Sequence, residues 1–275
     1  MRMKSIINAA AAVFVILLLA GCRGKTGEES GIVILASTTM GAALAQDLMP
    51  DARVTVLIPP DSCPGHFDLK PSDAASIMRA DLFLVHSFQE GLIEKMRGVR
   101  PDAAPGVITT TGTTIPENYI KALEEAQVIL AGVFERYSEE IKKNLEQRRK
   151  KINTLEKESA PRLERIREGK FKAFVSEMHK ELAFYLGIES AGYFGDPKSI
   201  SPARLETMIR EGMEKEIDFI VSNTAGTHDT TADILVSRTG LKKVMAANFP
   251  GSAGAGFGFE GLWEYNLSAV EERLK

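Results

Sequence analysis

The side chains in this 275-residue chain best suited to binding a metal or attacking a carbon are few: His66, His86, His179, His228, Cys22 and Cys63. Cys63 and His66 stand in Cys-x-x-His spacing on the loop Pro59-Pro60-Asp61-Ser62-Cys63-Pro64-Gly65-His66. That spacing suits a thiolate and an imidazole on one ion. His179 follows the apolar run Phe171–Val175, and His228 follows the run Ile217–Val221 in Asn223-Thr224-Ala225-Gly226-Thr227-His228-Asp229. Residues just past the carboxyl ends of parallel strands face the crevice where open α/β sheets bind ligands. Three imidazoles and a thiolate favour zinc or another borderline-soft divalent metal over magnesium or calcium. His86 ends a further run, Asp81–Val85, and is expected to hydrogen-bond rather than ligate. The hydroxyl-rich stretches Ser37-Thr38-Thr39 and Thr109 to Thr114 supply donors, so Thr38, Thr39 and Thr111 join the candidate cleft contacts. Plain structural readings stand beside these: a half-buried Cys63, a surface His66, a capping His179 and ordinary threonine caps.

Other patterns exclude classes of function. The chain has no Gly-x-Ser-x-Gly elbow, no His-Glu-x-x-His and no Walker sequence, so no enzyme is expected. Gly256-Phe257-Gly258-Phe259-Glu260-Gly261 matches Gly-x-Gly-x-x-Gly but stands away from the last strand, and reads as a flexible loop bordering the cleft. A net charge of −3 offers no field for nucleic acid. The basic run Arg148-Arg149-Lys150-Lys151 has Glu146 and Glu156 beside it and reads as a solvated helix face.

The elements that must position these residues alternate. Ile32–Ala36, Val54–Ile58, Asp81–Val85 and Gly106–Thr109 are short, β-branched apolar runs bounded by breakers, so each predicts a buried strand. Helical patterns at Met40–Leu48, Ser72–Arg79 and Glu90–Met96 separate them. Alternation of this kind argues for a parallel sheet covered on both faces. Residues 117–158 hold no proline and carry a stripe of Phe134, Tyr137, Ile141, Leu145, Ile152 and Leu155, which predicts one long amphipathic helix or two nearly collinear ones. Strands return at Phe171–Val175, Ile217–Val221 and Lys242–Ala247, with helices at Met178–Leu186, Pro202–Met213, Thr230–Thr239 and near Leu262–Leu274.

The amino terminus reads as an export signal. Arg2 and Lys4 precede twelve apolar residues, Ala9 to Ala20. Such a run is too short to span a bilayer of ~30 Å. It ends in Leu19-Ala20-Gly21-Cys22, similar to a bacterial lipobox, in which the cysteine is lipidated and becomes the first mature residue. Residues 23–30 are polar and suit a tether. Cys63 is then a free thiol in an oxidising compartment.

Two loops carry a family resemblance. Ile32-Val33-Ile34-Leu35-Ala36-Ser37-Thr38-Thr39-Met40-Gly41 and Pro59 to Asp73, soon followed by Ala80-Asp81-Leu82, resemble the solute-binding lipoproteins of zinc- and manganese-type ABC importers, the cluster A-I family. Pro116-Glu117-Asn118, Pro202-Ala203-Arg204-Leu205 and Tyr265-Asn266-Leu267 match in order. The resemblance implies an α/β fold of two lobes, each a mostly parallel sheet flanked by helices, joined by a long rigid helix with the ligand cleft between them. The corresponding divisions are a signal peptide at 1–21, a tether at 22–30, an N-terminal lobe at 31–133, a linking helix at 134–169 and a C-terminal lobe at 170–275. It also implies a divalent metal as cargo, a membrane permease and ATPase as partners, an extracytoplasmic, lipid-anchored location and a monomer.

The family's metal ligands are replaced or shifted here. Gly65 takes the place of the first histidine, with His66 next; Thr109 to Gly112 replaces the segment of the second; Met178 takes the place of the third, with His179 next; Asn248 replaces a carboxylate. The site is therefore either rebuilt from Cys63, His66, His179 and His228, with Thr38, Thr39, His86, Thr111, Met178 and Asn248 around it, or shaped for a non-metal or metal-complexed ligand. A surface adhesin or metal-storage lipoprotein is the reading outside transport. The signal assignment has a direct check. Cys22→Ala should leave the protein uncleaved or release it from the membrane fraction; normal membrane attachment of that variant would contradict it.

Overall fold

A computed structural model describes residues 31–195, 200–224 and 230–274; Cys22 and the export signal lie outside them, as does His228. The first half alternates β1 (Val33–Ala36), α1 (Thr39–Leu48), β2 (Arg53–Val56), α2 (Pro71–Arg79), β3 (Leu82–His86), α3 (Glu90–Val99) and β4 (Gly106–Ile108). Two long helices follow, α4 (Pro116–Val133) and α5 (Ser138–Glu168). The second half runs β5 (Lys172–Ser176), α6 (Lys180–Tyr185), β6 (Glu189–Phe194), α7 (Pro202–Glu214), β7 (Phe219–Asn223), α8 (Thr230–Thr239), β8 (Lys242–Ala246) and α9 (Gly258–Glu271). Each half forms one four-stranded parallel sheet, ordered β2-β1-β3-β4 and β6-β5-β7-β8. The two orders are the same, second-first-third-fourth, so each sheet reverses direction of growth between its first and third strands.

Strand side chains alternate between two apolar environments, as a sheet covered on both faces requires. Ile34, Leu82 and Leu84 enter a large central core, while Leu35, Phe83 and Val85 enter a smaller one on the other face. In the second sheet Ala173, Val175, Phe219 and Val221 enter that same central core, and Phe174 and Ile220 a third cluster. One apolar core thus runs through both lobes, with α1, α4, α5 and α9 contributing to it. Among the described residues no helix is long and apolar enough to cross a membrane.

The helical middle differs from the sequence expectation. The two long helices are not collinear: a short 3₁₀ turn at Glu135–Tyr137 folds α5 back along α4, and Arg149 of α5 pairs with Glu124 of α4 at 2.5 Å. Helix α5 continues through Pro161. Pro161 and Lys157, whose carbonyl loses its partner, are both exposed, so water can satisfy the freed group. A fourth strand in the second sheet, β6, was not predicted; its Glu-Ser-Ala-Gly-Tyr-Phe sequence is poor in β-branched residues and it lies at the sheet edge. The supposed flexible glycine loop is largely the first turn of α9, and a side chain on Gly261 would come 2.5 Å from the Gly256 backbone. The proximity of the two backbones is what needs glycine there.

The basic run is also only partly a solvated face. Lys150 and Lys151 are not part of the core, but Arg148 is buried. It falls on the inward stripe of α5, Ile141, Leu145, Arg148, Ile152, Ser159, Leu163 and Ile166, at the spacing of a helix face. Arg148 Nε donates to Asp47 of α1 at 2.5 Å, and its two terminal nitrogens donate to the Glu260 carboxylate of α9. Tyr119 of α4, fully buried, donates its hydroxyl to Asp47 at 2.6 Å. Burial pushes the Asp47 carboxyl above its usual range, and the opposing pull of Arg148 offsets this only in part. Burial also works against the arginine's charge, but Glu260 and Asp47 outweigh it and hold the guanidinium more firmly protonated than normal. Removing one partner of a buried charge set costs more than replacing the set. Arg148→Ala should therefore destabilise the fold by about 3 kcal/mol in urea melts, and Asp47→Asn in the same chain should recover part of that loss. A destabilisation below about 1 kcal/mol would mean the pair behaves as a surface ion pair.

Candidate functional site

Parallel pairing throughout puts the carboxyl ends of β1, β3 and β4 on one edge, and those of β5, β7 and β8 on another. Crevices form where growth of a sheet reverses, here between β1 and β3 and between β5 and β7. The candidate residues occupy equivalent positions at the two crevices. In the first lobe Ser37-Thr38-Thr39 follows β1 and His86 ends β3. In the second, the 3₁₀ turn Glu177–His179 follows β5 and Asn223 ends β7.

The first crevice is a hydrogen-bonded network. Thr38 caps α1 by accepting from the Gly41 amide, and its hydroxyl shares a 2.9 Å hydrogen bond with His86 Nε2. Gln89 Oε1 accepts from the Ser37 hydroxyl at 2.6 Å and the His86 amide at 3.0 Å. Burial holds the His86 imidazole neutral, with a pKa lowered to about 4. The Gln89 amide nitrogen and the Thr39 hydroxyl are buried without a hydrogen-bond partner among the described residues. Beside this network, Thr109 and Thr110 each donate a hydroxyl and a backbone amide to Glu125 of α4. Those bonds outweigh the partial burial of Glu125 and keep its carboxyl below the usual range. Thr111 is exposed.

The second crevice centres on His179, which is 1% exposed. Its pKa falls to about 4 through burial, partly offset by the nearby Asn223 side chain and Ala246 backbone. Neither ring nitrogen makes a well-formed hydrogen bond among the described residues. A buried polar ring left in this state costs on the order of 1–3 kcal/mol. Asn248, also buried, reaches Asn223 Oδ1 at 3.4 Å. Met178, half-exposed, precedes His179. On the loop between β2 and α2, Cys63 is an exposed free thiol and His66 ends a 3₁₀ turn, Pro64–His66; the His66 side chain lies outside the described residues. Among those residues no three of His, Cys, Asp and Glu come together as an ion cage.

The structure thus bonds Thr38 to His86 and sets Asn223, paired with Asn248, beside His179. Sequence reasoning passed over several polar residues at these edges: Gln89, Glu125, Asn223, Thr224, Ser252 and Asp61. Asp61 had a local signal, being the acidic residue on the Cys63–His66 loop. Ser252 had none, since its partner is 191 residues away.

Comparison with known proteins gives these loops their context. The family model of the zinc-uptake complex component A, periplasmic (ZnuA), matches residues 34–273. Among curated proteins, no sequence relative matches. Solved structures do. A Mn-bound point mutant of a periplasmic metal-binding protein from Candidatus Liberibacter asiaticus is 18% identical, with TM-score 0.72 over 88% of this chain and 99% of that one. The Cd-bound form of the protein from the same organism gives the same identity, coverage and TM-score. A ZnuA crystal structure is 14% identical, with TM-score 0.69 over 89% of this chain and 98% of its own. At these identities the likeness speaks for the fold, and it agrees with the two-lobed parallel architecture seen here. Because the family model covers nearly the whole chain from β1 to the end of α9, the protein belongs to the ZnuA family of solute-binding components of ABC import.

Proposed function

We propose that this chain captures a divalent transition metal outside the cytoplasm, with zinc as the favoured cargo, and delivers it to a membrane permease and its ATPase while held to the membrane through lipidated Cys22. In this reading residues 31–133 and 170–275 are the two lobes, 134–169 links them, and the protein acts as a monomer. The observation that carries the proposal is the His179 ring: buried, neutral, and without a well-formed hydrogen bond among the described residues. A neutral imidazole keeps a lone pair free at physiological pH, which is the state a metal requires. His66 and Cys63, with His228, would complete a nitrogen and sulfur donor set of the kind zinc prefers. The periplasmic relatives solved with manganese and cadmium bind ions of the same class.

A second reading has its own support. The buried donors Gln89 Nε2 and Thr39 Oγ1 lack partners among the described residues, and Asn223 and Asn248 are neutral. Such groups suit a non-metal ligand, or the organic part of a metal complex. Native mass spectrometry with elemental analysis, on protein purified without chelator, separates the two. Under the metal reading one zinc ion is bound, and His179→Ala and His66→Ala each weaken zinc binding about tenfold or more. Binding also weakens as pH falls toward about 4, where the buried His179 ring takes up a proton that competes for the same lone pair. No zinc bound at micromolar concentration, or both variants binding like wild type, would contradict it.

A further inference from the structure

The loop carrying Cys63 and His66 is tied to the opposite lobe by one carboxylate. Asp61 Oδ1 accepts from the Ser252 hydroxyl at 3.0 Å and from the Ala253 amide at 3.0 Å. Ser252 is fully buried, and since its proton goes to Asp61, the Thr224 hydroxyl donates to Ser252 across 2.8 Å. Thr224 in turn opens the segment containing His228. A short chain of hydrogen bonds, Asp61 to Ser252 to Thr224, therefore connects the two loops that bear the candidate ligands from opposite lobes.

The partner loop is bent to make this contact. Gly251 sits at φ 82° and Ala253 at φ 46°, both in the left-handed region. For alanine that conformation costs energy, so the surrounding structure must over-determine it. The turn is held by Ser252 N to Phe249 O at 3.2 Å and Ala255 N to Ser252 O at 2.7 Å. Its shape brings a side-chain hydroxyl and a backbone amide onto a single carboxylate oxygen. Pro60 packs close by, its Cγ within 3.7 Å of where a Gly251 side chain would begin.

We infer that Asp61 is a positioning residue for cargo capture: it clamps the Cys63–His66 loop to the 249–255 turn and so slows release of the bound ion. The inference deepens the metal reading and rests on it for its cargo. It assigns no ligand role to Asp61, whose described bonds point to the other lobe.

The test uses zinc as the probe and reads its dissociation rate into an excess of chromophoric chelator. Asp61→Ala, which removes both bonds, should speed release about fivefold; Ser252→Ala, which leaves the Ala253 amide bond, should speed it less, and the double variant should be no faster than Asp61→Ala, because the Ser252 contact is already lost with Asp61. Asp61→Asn keeps an acceptor oxygen and should stay within about twofold of wild type. Additive effects, unchanged release, or Asp61→Asn as fast as Asp61→Ala would overturn the clamp. An independent arm needs no cargo: hydrogen exchange at the Ala253 amide should be slow in wild type and fast in Asp61→Ala. If wild type binds no zinc, the cargo reading fails, and this arm alone decides. Protection lost in Asp61→Ala then supports the clamp, and protection retained overturns it.

Discussion

Arg148 is the point on which the arrangement of the two lobes turns. It is a charged side chain inside a helix interface, and it satisfies two carboxylates brought from helices near opposite ends of the described chain, Asp47 on α1 and Glu260 on α9. Tyr119 closes the set from α4. These central helices therefore share one polar knot at the edge of an otherwise apolar core, Arg148 buried and Glu260 open to solvent. A buried ion pair adds little net stability compared with a well-packed apolar substitute, but it is unforgiving of misplacement. Its contribution is to fix which residues of α1, α4, α5 and α9 face one another. An aromatic series reinforces the same alignment: Tyr119 stacks on Phe259 at 4.3 Å, Phe259 on Trp263 at 6.3 Å, and Trp263 meets Tyr185 of α6 edge-on at 5.7 Å. Ser159 completes it, accepting from the buried Trp263 indole at 2.9 Å.

Because that frame is continuous with both sheets, the two crevices are held in a set relation. Each lobe uses the same strand order, so each presents its polar residues at the same kind of edge. The lobes have filled those edges differently. The first is self-satisfied around Thr38, His86 and the Gln89 oxygen, leaving the Gln89 nitrogen and Thr39 hydroxyl unspent among the described residues. The second holds the His179 imidazole beside the Asn223 side chain and the Ala246 backbone without a well-formed hydrogen bond among them. An unpaired buried polar group is tolerated where function requires it, and a cargo that repaid it would be held by that repayment. This asymmetry makes the second lobe the anchor in the proposed capture, and the Cys63–His66 loop, tied to that lobe through Asp61, its cover.

Much of the scaffold was legible because its signals are local. Val54–Ile58 and Asp81–Val85 read as strands from β-branched runs between breakers, and the helices from their apolar period. What was missed depended on distant partners. Arg148 looked like part of a charged face, since a sequence cannot say that Asp47 and Glu260 will meet it in the core. Strand β6 escaped because edge pairing with β5, not its own Ser-Ala-Gly composition, makes it a strand. That α5 can pass through Pro161 depends on the exposed position of that turn, which the sequence alone does not state. At the site, His179 was found from its place after a strand, but its buried, unsatisfied state is a tertiary fact. The Asp61–Ser252 bond spans 191 residues and leaves no local trace.

The central claim is that a rigid, Arg148-centred frame holds the two lobes so that capture needs no hinge motion between them. Crystal structures of the protein with and without bound zinc test it most directly. A frame of this kind predicts that the lobes superpose as one body with a relative rotation of a few degrees, that α5 is equally straight in both, and that the Asp61–Ser252 contact is present in both. A hinge rotation of tens of degrees, with bending of α5 or rupture of the Asp47–Arg148–Glu260 set, would contradict it.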